Sequence, residues 1–234
     1  MLKGYCYTYL FANCTSLVIA PELPATTLFG HCYHAMFSGC TSLTQAPALP
    51  ATTLGESCYQ SMFYGCTSLT QAPALPVTTL RDYCYQNMFS GCTSLTQAPA
   101  LPATTLGRYC YTGMFSNCTS LTTAPDELPY ATVAEEAYSD MFQGCTSLTA
   151  SPYIKLTSAR PSGVFIAQRT FSGCTSLNNI RVAFTTWNAG GIPLWVEGVA
   201  ATGTFYCPSV LGDNETITRG TSYCPDGWTV VNTD

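Results

Sequence analysis

The sequence predicts an α/β solenoid, a stack of 26-residue units with one short parallel strand and one short helix in each. Three observations carry this expectation. The stretch MFSGCTSLTQAPALPATTL occurs at Met36 and again at Met88, with a near copy at Met62. Aligned on Cys-Thr-Ser-Leu, copies start at Cys14, Cys40, Cys66, Cys92, Cys118, Cys145 and Cys174, a step of 26 that stretches to 27 and then 29. Apolar types recur at fixed places in every copy, so each copy is one unit that buries its apolar side only against its neighbours.

The helix is expected ahead of each Cys-Thr-Ser-Leu. In LGESCYQSMFYGC, Leu54, Cys58, Met62 and Cys66 are spaced to share one side of a helix. Thr53 stands as its N-cap, and Glu56 completes a capping box in that copy. The Met36, Met62, Met88 and Met114 column and the Phe37, Phe63, Phe89 and Phe115 column are core. The residue before each Cys-Thr-Ser-Leu is Asn13, Gly39, Gly65, Gly91, Asn117, Gly144 or Gly173. Gly and Asn enter the left-handed conformation most readily, as a helix stop demands.

The chain then extends. Leu43, Leu69, Leu95, Leu121, Leu148 and Leu177 point inward, followed by Ala46, Ala72, Ala98 and Ala124. Pro47, Pro73, Pro99 and Pro125 come next, and without an N–H they end the pairing. PALPATT reads as a polyproline-like return with Leu49 or Leu54 tucked in. A propeller of this period needs several strands per copy, and there is room for one. The reading is a curved, right-handed solenoid over residues 1–177, with 178–234 as a divergent last repeat and C-terminal cap.

Composition removes several function classes. The 234 residues are 47% hydrophobic and 9% charged, with net charge −5, against roughly a quarter charged in an ordinary domain. Eight scattered Lys and Arg do not neutralise a row of phosphates, so neither nucleic acid nor an anionic membrane is an expected partner. No apolar run approaches the roughly 20 residues of a membrane span. MLKGYCYTYLFANCTSL lacks a clean apolar signal core and already lies within a repeat. The expectation is a piece of a longer chain or assembly, or a protein that never used a signal peptide.

AMFSGCTSL followed by LTQAPALP and TTL resembles the BspA-like leucine-rich repeat of bacterial surface proteins, whose units run Ala-Phe-x-x-Cys-x-x-Leu-x-x-Ile-x-Ile-Pro. The tail, TTWNAGGIPLWVEGVAATGTFYCP and GTSYCPDGWTV, is similar to the terminal segment of such proteins from gut Bacteroides and related bacteria and phages. The resemblance implies a leucine-rich-repeat solenoid and binding or adhesion to host or bacterial proteins or glycans. It places the protein outside an anaerobic bacterium or at its surface, or in a virion, where the units would serve as a spacer or tail-fibre component. This chain departs in having a Pro-flanked Ala in place of the second inward Ile, and in its longer unit.

Candidate chemistry is sparse. Fourteen cysteines fall into one column from Cys6 to Cys110 and another from Cys14 to Cys174, with Cys207 and Cys224 in the tail. Two cysteines eight residues apart on a helix lie about 12 Å apart, beyond disulfide reach. The columns are expected to be reduced packing groups, which suits synthesis in a reducing cytoplasm or an anoxic habitat. Cys207 and Cys224, across a Gly/Asp/Asn-rich loop, are the one candidate disulfide. The absence of a Cys-x-x-Cys pair disfavours zinc. His31 and His34 share a helical face but align with Ser57 and Gln60 or Tyr83 and Gln86, a solvated pattern. No nucleophile, base and carboxylate stand together, so neither an enzyme nor a cofactor is expected. Asn13, Asn117 and Asn214 match Asn-x-Ser/Thr, the first two being explained by the helix stop.

The outward residues of the strand face are Thr44, Gln45, Thr70, Gln71, Thr96 and Gln97. Such a monotonous face suits a repeating ligand met through many equal contacts. Irregular recognition is expected of the tail aromatics Trp187, Trp195 and Tyr206, whereas Trp228 is expected to cap the last open core. The Tyr33, Tyr59, Tyr85, Tyr111 and Tyr138 column is expected to pack between repeats with its hydroxyls outward.

Overall fold

The structure, a computed structural model, describes residues 4–128, 134–155, 167–187 and 192–234. It is a parallel solenoid. The named strands are β1 (Thr27–Leu28), β2 (Thr53–Leu54), β3 (Ala150–Ile154), β4 (Asn179–Val182), β5 (Thr204–Cys207) and β6 (Thr229–Asn232). β1 pairs with β2, and β3 to β6 form a four-stranded sheet in sequence order. Every pairing between these strands is parallel, as units stacked in one chain direction require. In the early copies the Thr-Gln segment pairs only through single bridges such as Gln45 with Gln71 and Gln97 with Thr123. Pro47, Pro73 and Pro99 follow within two residues and cannot donate. β3 keeps Pro152, and its register shifts around it; β4 has no Pro and runs unbroken.

The expected helix does not form. Among the described residues there is no α-helix, and the one helical piece is a 3-10 turn at Ser209–Leu211. Instead, left-handed residues recur along the segment: every second one in the first three copies, as at Ser57 (φ 56°), Tyr59 (61°) and Ser61 (54°), and every fourth one later, as at Tyr83 (62°), Asn87 (53°) and Gly91 (75°). The N–H groups of Ser57, Ser61, Phe63 and Gly65 donate to carbonyls of Asp82, Gln86, Met88 and Ser90 in the next turn, at 2.8–2.9 Å. Those of Gln60, Met62, Tyr64 and Cys66 donate three residues back. A helix bonds each N–H beyond its first turn inside its own segment, whereas here about half leave it to bind the neighbour. Each left-handed non-Gly residue costs about 1–2 kcal/mol, which the stack offsets through those bonds and the burial they permit. Thr53, the expected N-cap, lies in β2 instead.

The core is a set of ladders. Phe11, Phe37, Phe63, Phe89, Phe115, Phe142 and Phe171 stack ring on ring at 5.5–5.7 Å. Met36, Met62, Met88 and Met114, the inward leucines, Leu49 and Leu54 are buried beside them. The tyrosine column differs from expectation. Tyr33 to Tyr138 are buried whole and stacked at 5.9–6.1 Å, and the Tyr59 and Tyr85 hydroxyls reach no partner. The column is left-handed at Tyr33 and Tyr59 and not at Tyr85, Tyr111 and Tyr138, so what the buried rings share is the stack of one turn on the next.

Cysteine has a specific use here. The Cys66 thiol donates to the Phe37 carbonyl at 3.1 Å, and Cys92, Cys118 and Cys145 repeat the bond to Phe63, Phe89 and Phe115. A small apolar group with a weak S–H donor fills the core and adds a second bond to a carbonyl that already accepts a backbone N–H, as the Phe37 carbonyl does from Cys40 at 3.1 Å. Gly and Asn before these cysteines do turn left-handed, with φ of 67° at Gly65 and 59° at Asn13. Gly107 answers to a different demand, since a Cβ there would sit 2.3 Å from the Arg81 carbonyl carbon. Gly107→Ala must push two turns apart and is expected to cost about 1–3 kcal/mol. The midpoint of urea unfolding measures this, and an unchanged midpoint would refute so tight an approach.

In the tail, Asn179 pairs with Thr204 and Thr204 with Thr229, so strands β4, β5 and β6 carry the parallel stack onward. The Phe ladder ends where the Phe171 ring meets Trp195 at 6.0 Å, tilted by 59°.

Candidate binding surface

The turn-to-turn bridges place Thr44, Gln45, Thr70, Gln71, Thr96 and Gln97 side by side along one flank, all exposed. Among the described residues, nothing bonds the side-chain amides of Gln45, Gln71 and Gln97. An unengaged amide offers two donors and an acceptor, and here the same offer repeats at each turn. Around it the hydroxyls are partly used up: Thr67, Thr93 and Thr122 donate to the carbonyls of Thr41, Thr67 and Thr96 in the turn before, at 3.4, 3.5 and 3.1 Å. These bonds fix the rows.

A second row was not legible as a surface in the sequence. Thr52, Thr53, Thr78, Thr79, Thr104 and Thr105 are exposed, held by β1–β2 pairing and by the bridge between Thr79 and Thr105. The available signal was the Thr-Thr-Leu that closes each return, two polar residues before a buried leucine.

Among the tail aromatics, Trp195 departs from expectation. Trp195 is 2% exposed and donates its indole N–H to the Tyr223 carbonyl at 3.0 Å, so it is a core rung rather than a binding anchor. Trp187 packs among Phe184, Phe205 and Tyr223, with its indole nitrogen buried and unpartnered. Tyr206 is half-buried on β5. Trp228 is buried and donates to the Ala200 carbonyl at 2.8 Å.

The titratable groups serve the stack. Tyr5 lies flat on His31 at 4.5 Å, and the His34 Nε2 meets the Tyr9 hydroxyl at 3.1 Å. Desolvation lowers the His34 pKa, and no group of three metal-ligating residues forms among the described residues. Arg169 grips Asp140 with two bonds of 2.8 and 3.0 Å, Arg108 pairs with Asp82, and Lys155 with Glu127. Each pair ties one turn to the next.

The thiols are unsuited to nucleophilic work. Burial pushes Cys58 and Cys66 up to about 12, and Cys207 and Cys224 to about 11. Cys207 and Cys224 are both buried free thiols, so the candidate disulfide is not formed. Thiol reactivity needs exposure and thiolate character. Native alkylation at pH 8 is therefore expected to modify exposed Cys14 first and half-buried Cys6 next, with the rest protected until unfolding. Mass spectrometry of the labelled peptides checks this, and early labelling of Cys92 would refute the packing role.

A family description, BspA type leucine-rich repeat region, matches residues 7–149 in six copies. A leucine-rich repeat protein from Bacteroides ovatus ATCC 8483, solved by crystallography, is 19% identical, with 96% of this chain and 71% of that chain covered and a TM-score of 0.38. No curated protein matches.

Proposed function

The chain belongs to the BspA-type leucine-rich repeat family, and on that premise we propose that it is a non-enzymatic binding module working outside a bacterial cell or at its surface. Its ligand is a repeating one, a glycan chain or a regular protein surface, met by the Thr and Gln rows. The observation that carries this reading is the set of Gln45, Gln71 and Gln97 amides, exposed, unengaged and repeated once per turn. A single amide contributes about 0.5–1.5 kcal/mol through a hydrogen bond. Equal sites in a row multiply weak contacts into useful avidity.

The test is a glycan and protein array probed with the full chain. Saturable binding is expected, weakened at least about tenfold by the combined change Gln45→Ala, Gln71→Ala and Gln97→Ala with circular dichroism unchanged. Silence across the array sinks the binding reading and favours a spacer, such as a fibre component, in which near-identical turns need only stack.

A further inference from the structure

The two ends of the stack are built differently. At the C-terminal end the outer edge of β6 is closed: the Asn214 side chain accepts from the Val230 N–H at 2.6 Å and donates to the Val230 carbonyl at 3.3 Å. The Arg219 guanidinium holds the carbonyls of Pro225 and Trp228 at 3.1 and 3.0 Å, and Asp234 binds Ser209. A side-chain amide on the backbone pair of an edge strand blocks further pairing there.

The N-terminal end is open in each of these respects. In the second turn the carbonyls of Gly30, His34, Met36 and Ser38 accept N–H bonds from Tyr5, Tyr9, Phe11 and Asn13 of the turn before. Their counterparts one repeat earlier, the carbonyls of Gly4, Thr8, Leu10 and Ala12, accept none from any described residue. Ring faces are open as well. Tyr7 stacks on Tyr33 and Phe11 on Phe37, each on one side only among the described residues. Leu10 is 53% exposed where Met36 in its column is 2%. Val18 and Ile19, 50% and 76% exposed, stand where later turns carry Thr and Gln. Beside them, Tyr7, Leu10 and Phe11 line a cavity of about 700 Å3 together with Tyr33 and Met36 of the second turn.

We propose that the first turn is a docking face for one further leucine-rich-repeat turn, uncapped at its own C-terminal end and not belonging to a second copy of this chain. The occupant is specified by the successive junctions within the stack, each of which covers this same set of atoms. It must present a row of backbone N–H donors opposite the four carbonyls, and a Phe and a Tyr ring at the ladder spacing of 5.5–6.1 Å. A second copy fits neither way round. Its C-terminal end is closed by Asn214, and its N-terminal end would set carbonyl against carbonyl, leaving buried acceptors without donors.

The test places a copy of residues Gly30–Gly55 ahead of Gly4, so that the added turn joins Gly4 as Gly55 joins Glu56. Tm is expected to rise by about 5 °C or more, and amide exchange at Tyr5, Tyr9, Phe11 and Asn13 to slow at least about tenfold. The same extension with Ser in place of its copies of Tyr33 and Phe37 should give neither effect. An unchanged or lowered Tm, or an added turn cleaved by protease while the rest stays intact, overturns the proposal. Sedimentation of the unextended chain supplies the other arm. A monomer at all concentrations is expected, and a dimer dissociated by Ile19→Lys would give the face to a second copy and overturn the proposal.

Discussion

Raising the pH from 8 to 11 in the presence of a reductant is expected to unfold the protein in one steep transition that reverses on neutralisation. Twelve of the fourteen thiols are buried. Desolvation holds Cys58, Cys66, Cys84 and Cys174 at about 12, and Cys92, Cys118 and Cys145 well above the ordinary thiol value. In the unfolded chain a thiol ionises near about 8.5. The folded state therefore keeps protons that the unfolded state releases. The stability tied to each neutral thiol is whole below about 8.5 and is lost as the pH climbs toward about 12.

Each such group removes about 1.4 kcal/mol per pH unit within that window. Many act together against a total stability of about 5–15 kcal/mol, so the fold should fail within about two pH units above 8.5. The buried tyrosines push in the same direction, since burial raises the Tyr33 phenol to about 12 and the Tyr59 phenol also moves up. Far-UV circular dichroism against pH reads the transition. A signal unchanged at pH 11 would show that the thiols are more hydrated than their burial implies.

Phe89→Ala is expected to cost about 3–5 kcal/mol and to divide the solenoid into two unfolding units. Phe89 is fully buried and stacks on Phe63 at 5.6 Å and on Phe115 at 5.7 Å, pairs worth about 0.5–1.5 kcal/mol each beyond their buried area. The void cannot close, because Phe63 and Phe89 hold their spacing through backbone bonds to Met88 and Met114 at 2.9 Å. In a one-dimensional stack each turn is coupled only to its neighbours, so weakening one junction separates what lies on either side. All three tryptophans lie in the tail, so their fluorescence reports the C-terminal part while circular dichroism reports the whole. The two melts should coincide in the parent protein and part in the variant. A cost below about 1 kcal/mol would mean that the ladder contributes little.

The sequence by itself determined the period, the direction of stacking and most of the core. Copies of one unit in one chain compare themselves: a place that holds Met or Leu in six copies of seven, only Phe, or only Gly or Asn states its demand without any knowledge of its neighbours. The buried Phe and Leu columns, the left-handed Gly65 and Asn13, and the pairing cut short before Pro47 all follow from such local demands. The Thr and Gln flank was legible for the same reason, as the polar remainder of a short strand.

Only the tertiary structure decided what the segment between the leucine and the cysteine becomes. Leu54, Cys58, Met62 and Cys66 recur every four residues, and that spacing serves a helix as well as a chain in which left-handed residues recur every two or four positions. The choice turns on where the N–H groups of Ser57, Ser61, Phe63 and Gly65 find acceptors, and those acceptors belong to the next turn. The depth of the tyrosines and the loss of Trp195 from the surface follow from the stack that continues past them. A bond partner supplied by another turn leaves no mark on the residues of this one, which is why the stack settled the conformation that local propensity left open.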